Sequence, residues 1–407
     1  MIRLQIFVLI LALILVAGCG SSEPVLVPVE EPIVDEGATP SAMFGIFQNQ
    51  GDVAQNNSLN YIDPVTQTGT VLGQGGVKTF AAVSDDGQSV ALAVANGKTS
   101  NLYVYNVPSG VVSALFSGSS ELVYTGHWDS NSTTFYFGAY TPEGKRMGPG
   151  SIHSYSVESG ATRQIPCSAS RSVLAVMPGG TLIVRNSDSI YEVATQDCAT
   201  LKTFDARKMY HVAVSPIAGK MAFVLRDLVF NRETRAYEPD STLYLQEIGG
   251  GKPVKIVGEK YQPRNISWSS DGTELIFDVD ALDGSRKRAI SIYSIASASS
   301  SYLEAPTSIP DSRSQPVFSP DGRHVLFTAT NSASGKDLMW KTTGESFSHV
   351  IPGDDEQTAA YQFEWIGKDL LFLMSPKGEA HVLDLSSEGG TILWSGTQQD
   401  IFALRIQ

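Results

Sequence analysis

Residues with the types and spacing that chemistry demands are few in this chain. Six histidines stand far apart, at His127, His153, His211, His324, His349 and His381. There is no Gly-x-Ser-x-Gly elbow for a serine nucleophile. His-Glu-x-x-His, P-loop and Gly-x-Gly-x-x-Gly signatures are absent too. His127 and His211 fall on segments expected to line a central channel, so they are the weak candidates for metal ligands. Two imidazoles without a clear carboxylate companion make a thin site, and the expectation is no metal and no cofactor. Asp85, Asp86, Asp129, Asp271 and Asp321 recur at turns, where they suffice to fold the backbone. A calcium loop needs several oxygens within one segment, and no segment offers them.

Cysteine chemistry is more informative. Cys19 closes a leader made of one charge at Arg3, an apolar run over 4–16 broken only by Gln5, and the small residues Ala17 and Gly18. That is the composition of a secretory signal over residues 1–18. The alternative, a permanent transmembrane helix, needs about 20 apolar residues, more than this run supplies. Val16-Ala17-Gly18-Cys19 resembles the bacterial lipoprotein lipobox. The resemblance implies cleavage before Cys19 and acylation of its sulfur and new amino group, a firm membrane anchor. Gly20 in place of Asp leans the address to the outer membrane. Cys167 and Cys198 would then share an oxidising compartment, where a pair implies a disulfide, with two free thiols as the alternative.

Residues 19–42 carry the lipidated Cys and then a stretch punctuated by Pro24, Pro28, Pro32 and Pro40, with acids between them. Such a segment buries little and serves as an extended tether. The formal net charge of the chain is -13. An acidic chain is a poor match for nucleic acid, whose phosphates require Lys and Arg.

Residues 43–407 must position whatever function exists. A short apolar segment, a tight polar turn and a second apolar segment recur about every 46 residues, the mark of a propeller or solenoid. The clearest copies are Trp268-Ser269-Ser270-Asp271-Gly272 before Leu275-Ile276-Phe277, and Phe318-Ser319-Pro320-Asp321-Gly322 before Val325-Leu326-Phe327. In such a turn Pro presets φ, Asp bonds back to the backbone and Gly takes the positive φ that reverses the chain. Inner strands are expected to end near Val83, Trp128, Val176, Val214, Trp268, Phe318, Trp365 and Ile406. Each is followed by a strand buried on both faces, a third that often carries Tyr, and a more polar fourth.

This pattern resembles the TolB-type, WD-like propeller repeat, with two good copies and several degenerate ones. The resemblance implies an all-β, eight-bladed β-propeller of four-stranded antiparallel blades, with seven blades as the alternative. The N-terminal unit lacks an inner strand, and residues 402–406 can supply it, sealing the ring. The repeat is specific for fold and not for function.

Charge placement gives the functional expectation. Connections between second and third strands lie on the disc face opposite the Asp turns. The stretches 141–150 and 226–241 read as long loops there. Bases outnumber acids on that face ten to seven, against the acidic balance of the chain. Lys145, Arg146, Arg232, Arg235, Arg286, Lys287 and Arg288 are its candidate binding residues. The expected protein is a lipid-anchored, non-catalytic platform on the periplasmic side of the envelope, docking an envelope protein or polymer. The alternative is a lyase- or hydrolase-like enzyme with its site at the central channel.

Overall fold

The computed structural model describes residues 44–50, 58–62, 69–75, 77–96, 99–143, 146–167, 172–186, 188–231, 235–257, 261–280, 287–304, 312–331, 335–343, 349–350, 362–365, 369–374, 379–386, 391–397 and 401–405. Among them there is no α-helix. The strands group into antiparallel sheets of four. In chain order these are sheet B within 77–119, C within 122–165, D within 172–205, E within 209–257, F within 264–302, G within 312–350 and H within 362–397. Sheet A combines Phe44–Gln50, Ser58–Ile62 and Gly69–Gln74 with the last strand, Ile401–Arg405. That strand runs antiparallel to Phe44–Gln50, with Ala403 opposite Ile46.

The burial follows the apolar pattern. The second strands of sheets B, C, F and G place Leu92, Phe135, Phe137, Phe277 and Phe327 at 0% exposure. Each apolar cluster spans neighbouring sheets rather than one. Ala91 and Leu102 of sheet B meet Phe135 of sheet C, and Ile152 of C meets Val184 of D. Ile183 of D meets Phe223 of E. Val224 of E meets Phe277 of F, Ile276 of F meets Phe327 of G, and Leu326 of G meets Leu371 of H. One further cluster joins Phe372 and Val382 of H to Leu59 of A and Leu92 of B. Burying one such Phe contributes about 2–3 kcal/mol, so the sheets are stable only in each other's company. Two indoles bolt neighbours together: Trp128 Nε1 donates to the Ala82 carbonyl at 3.2 Å, and Trp268 Nε1 to the Ala213 carbonyl at 3.1 Å.

The Ser-x-Asp-Gly turn repeats at atomic detail. Ser319 Oγ donates to Asp321 Oδ1 at 2.7 Å and accepts the His324 N–H at 2.9 Å, while Gly322 N–H closes on the Ser319 carbonyl at φ +73°. Ser269 with Asp271 and Ser84 with Asp86 repeat it, each at 2.6 Å. A Cβ on Gly322 meets nothing within 4 Å, but one on Gly272 would lie 2.7 Å from Ser215 Oγ and 3.0 Å from Ala218 in the next sheet. Gly322→Ala should therefore cost about 1–2 kcal/mol, the left-handed penalty alone. Gly272→Ala should cost clearly more, because the steric conflict adds to it. Chemical denaturation of the two variants checks the ranking, and equal losses would contradict it.

Two expectations need correction. Much of 141–150 and of 226–241 is strand, not loop. In sheet E, Lys220–Asn231 and Ala236–Glu247 stay paired out to Asn231 opposite Ala236. In sheet C, Thr134–Glu143 and Arg146–Ser156 pair out to Glu143 opposite Arg146. These arms pass beyond the packed sheets, so they lack the alternation of apolar side chains that marks a half-buried strand.

Candidate functional site

The inner strands share an irregularity that the sequence does not announce. Register shifts fall between Lys78 and Phe80, Val123 and Thr125, Val173 and Ala175, Met209 and His211, Arg264 and Ser267, and Ser314 and Val317. Each is a β-bulge within the inner strand of its sheet. Bulges re-aim side chains; those of sheets B, C and E share one rung, while those of D, F and G fall nearer the turn. Tyr124 is turned out to 40% exposure and Tyr210 to 55%. Asn265 and Gln315, one position nearer the turn in sheets F and G, take left-handed φ of 47° and 55°.

Both tyrosines are braced by the long hairpin of their own sheet. Tyr124 stacks on Tyr140 at 5.1 Å between ring centres. Burial, with the bond to Tyr124, pushes the Tyr140 phenol up to about 12. The Arg226 guanidinium lies over the Tyr210 ring at 5.0 Å, and His211 meets that ring edge-on at 4.5 Å. Burial lowers the His211 pKa below its usual value. Asp278 opposes that shift, and Arg264 and Arg226 add to it. Arg226 and Arg264 are exposed, and among the described residues neither forms an ion pair.

The expected basic face divides on inspection. Arg235 is exposed at the tip of the sheet E hairpin with φ 54°. Lys287 is half-buried. Arg146 opens the third strand of sheet C. Lys145, Arg232 and Arg286 lie outside the described residues, as do Cys19 and the whole of 1–42. Arg288 is engaged within the fold. Its Nε lies 3.2 Å from Asp278 Oδ2 and its Nη1 2.5 Å from Asp280 Oδ1, while Nη2 donates to the Gln262 and Asp278 carbonyls. Asp278 is 1% exposed and also receives the Asn265 amide. This network fixes the bulge at Asn265 from below.

On the opposite face three turn carboxylates lie close together. Burial and the nearby carboxylates of Asp129 and Asp86 raise the Asp85 pKa.

His127 and His211 are separated by sheet D and by about two rungs, ~7 Å along the strand direction. Solvent reaches the His127 ring, although protein surrounds it. That surrounding lowers its pKa, and a bond to the Val173 backbone opposes the shift. Among the described residues, no group of three or more His, Cys, Asp or Glu side chains converges on a point. Cys167 and Cys198 are joined by a disulfide, with Cα atoms 5.1 Å apart.

One polar cluster escaped the sequence: Ser151 Oγ lies 2.8 Å from His153 Nε2 and 3.1 Å from Glu121 Oε1. Glu121 approaches that same Nε2, at 4.0 Å, so it does not orient the ring as a triad acid does. The imidazole is clamped between Phe137 and Phe116, and Ser151 is 7% exposed. The arrangement is a packed hydrogen-bond cluster.

No protein-family model matches the chain, and no curated protein matches it in sequence. In three dimensions it is similar to a eukaryotic initiation factor, with a TM-score of 0.54, 11% identity and coverage of 89% of this chain and 98% of that one. It is similar to the Dos1 propeller at 0.52, 12% identity, 80% and 86%. The β-propeller domain of the Trilobed protease from Pyrococcus furiosus aligns at 0.50, 11% identity, 88% and 93%. At such identities the likeness establishes the β-propeller fold and stops there.

Proposed function

We infer that this β-propeller is a lipid-anchored envelope platform of the TolB type that binds a partner without catalysing a reaction on it. One observation carries the reading: a single face gathers the two longest hairpins, the two turned-out tyrosines and the exposed guanidiniums of Arg226 and Arg264. Rigid sheets holding projecting elements at fixed spacing suit recognition. We further infer eight blades closed by the C-terminal strand. The pairing of Ile401–Arg405 with Phe44–Gln50 and the apolar cluster joining sheets H, A and B support it. The lipobox-like Val16-Ala17-Gly18-Cys19 supports anchoring through Cys19, and Gly20 favours the periplasmic side of the outer membrane.

Two measurements test the reading. Cells fed labelled palmitate should label the wild type and not Cys19→Ser. Photo-crosslinking from position 235 should capture an envelope partner in living cells. The double variant Arg286→Glu/Lys287→Glu should weaken that capture several-fold at physiological salt. Capture that is equally strong from a position on the Asp-turn face, and indifferent to the double variant, would remove the platform reading.

A further inference from the structure

The hairpins of sheets C, D and E start level, just beyond their first turns, at Thr134, Thr181 and Lys220. They end at different heights. The second strand of sheet D, Thr181–Arg185, has five residues, against ten for Thr134–Glu143 and twelve for Lys220–Asn231. At about 3.3 Å per residue, the C and E arms overtop sheet D by ~16 Å and ~23 Å. The result is a notch with sheet D as its floor. Tyr124 stands at the foot of one wall and Tyr210 at the foot of the other.

At the inner margin of this notch the E arm has an open sheet edge, on the side of its own inner strand. The inner strand of sheet E leaves Lys220–Asn231 at the pair Met209–Leu225. Arg226 N–H still turns to that side, donating to the Lys208 carbonyl at 3.1 Å. Because ladder groups alternate, Leu228 N–H and C=O point the same way. Among the described residues, no strand pairs with this edge beyond Leu225. The charge at this margin is positive: Arg226 is exposed, Arg264 is exposed on the inner strand of sheet F, both act on His211 between them, and among the described residues neither forms an ion pair. On the floor, Arg185 donates to the Met209 carbonyl, a neutral group.

We propose that an extended, acidic peptide segment of a partner protein docks at the inner margin of this notch, adding as a strand to the open edge at Leu228. Its carboxylates meet Arg226 and Arg264, and an apolar or aromatic side chain rests on Tyr210. An unpaired edge supplies the main-chain bonds of strand addition, and guanidiniums select carboxylates by paired N–H donors. The proposal rests on the platform reading and names the partner's chemistry.

The probe is a fluorescein-labelled random glutamate–tyrosine copolymer, followed by anisotropy with the full chain in neutral detergent. Saturable binding is expected, weakening with salt. Arg226→Glu/Arg264→Glu should reduce affinity at least tenfold. Leu228→Pro should do the same, since it removes the edge N–H while leaving the ladder to Ala236–Glu247 intact. Wild-type affinity in a folded Leu228→Pro variant would overturn strand addition. Should that variant unfold, amide hydrogen exchange on the wild type decides. Protection of 226–230 on adding the copolymer supports the proposal, and unchanged exchange overturns it. Displacement by alginate as readily as by unlabelled copolymer would mark simple polyanion binding and also overturn it. Copolymer binding lost in Arg286→Glu/Lys287→Glu but kept in both notch variants would sink the notch while leaving the platform reading standing.

Discussion

Replacing Arg288 with alanine should destabilise the fold by about 3–5 kcal/mol, the usual cost of stranding one member of a buried ion pair. Asp278 is 1% exposed, and without Arg288 its remaining side-chain partner among the described residues is the Asn265 amide, at 3.2–3.3 Å. Water cannot take over the lost guanidinium without opening the boundary between the inner strand and the second strand of sheet F. The carbonyls of Gln262 and Asp278 lose a donor at the same time. The double variant Arg288→Met/Asp278→Leu should recover much of the loss, because an apolar pair of similar volume removes the stranded charge. Urea denaturation of the three proteins measures this. A loss in Arg288→Ala below about 1 kcal/mol would show that solvent already screens the pair. Charge reversal at Arg288 would therefore report folding, and a docking experiment should use Arg286 and Lys287.

The second large effect is expected at the disulfide. Cys167 and Cys198 are 31 residues apart in sequence, and closing a loop of that size contributes about 3–4 kcal/mol in the chain-entropy picture. Cys167 is also 6% exposed and packs with Ile165, Val176 and Leu182, so the bond joins the end of sheet C to the body of sheet D. Cys167→Ala/Cys198→Ala should lower the unfolding midpoint, and a reducing agent should lower the wild type to match while leaving the variant unchanged. If the reductant moves neither protein, the cross-link contributes nothing. Sheet D needs the help more than its neighbours do. Its turn, Met177-Pro178-Gly179-Gly180, lacks the Ser–Asp bond seen at Ser319 and Asp321.

Much of this architecture was legible because its causes are local. Ser-x-Asp-Gly turns fix where inner strands stop at Val83, Trp268 and Phe318, and degenerate polar turns do so at Trp128, Val176 and Trp365, so the expected ends coincide with the observed ones. Runs such as Leu275-Ile276-Phe277 could only be strands covered on both sides. The candidate site was less legible, because it depends on where elements exceed or depart from the repeat. Residues 226–241 carry charges and a proline, and nothing in that composition separates a projecting hairpin from a loop. The bulges leave only a faint trace: Tyr124 and Tyr210 each stand four residues before the expected end of an inner strand, at Trp128 and Val214. The role of Arg288 was hidden for a different reason. Its partner Asp278 looks like one more acid at the end of a second strand, and only the fold places it out of water.

The pairing of the two chain ends has a mechanical consequence. Phe44–Gln50 is held on one side by Ser58–Ile62 and on the other by Ile401–Arg405. Tension arriving along the backbone from upstream of Phe44, directed along that strand, is shared between two ladders loaded in shear. Their hydrogen bonds then have to fail together instead of opening one at a time from a free end. A propeller started with an outermost strand would peel, whereas this one meets a pull with a segment gripped from both flanks.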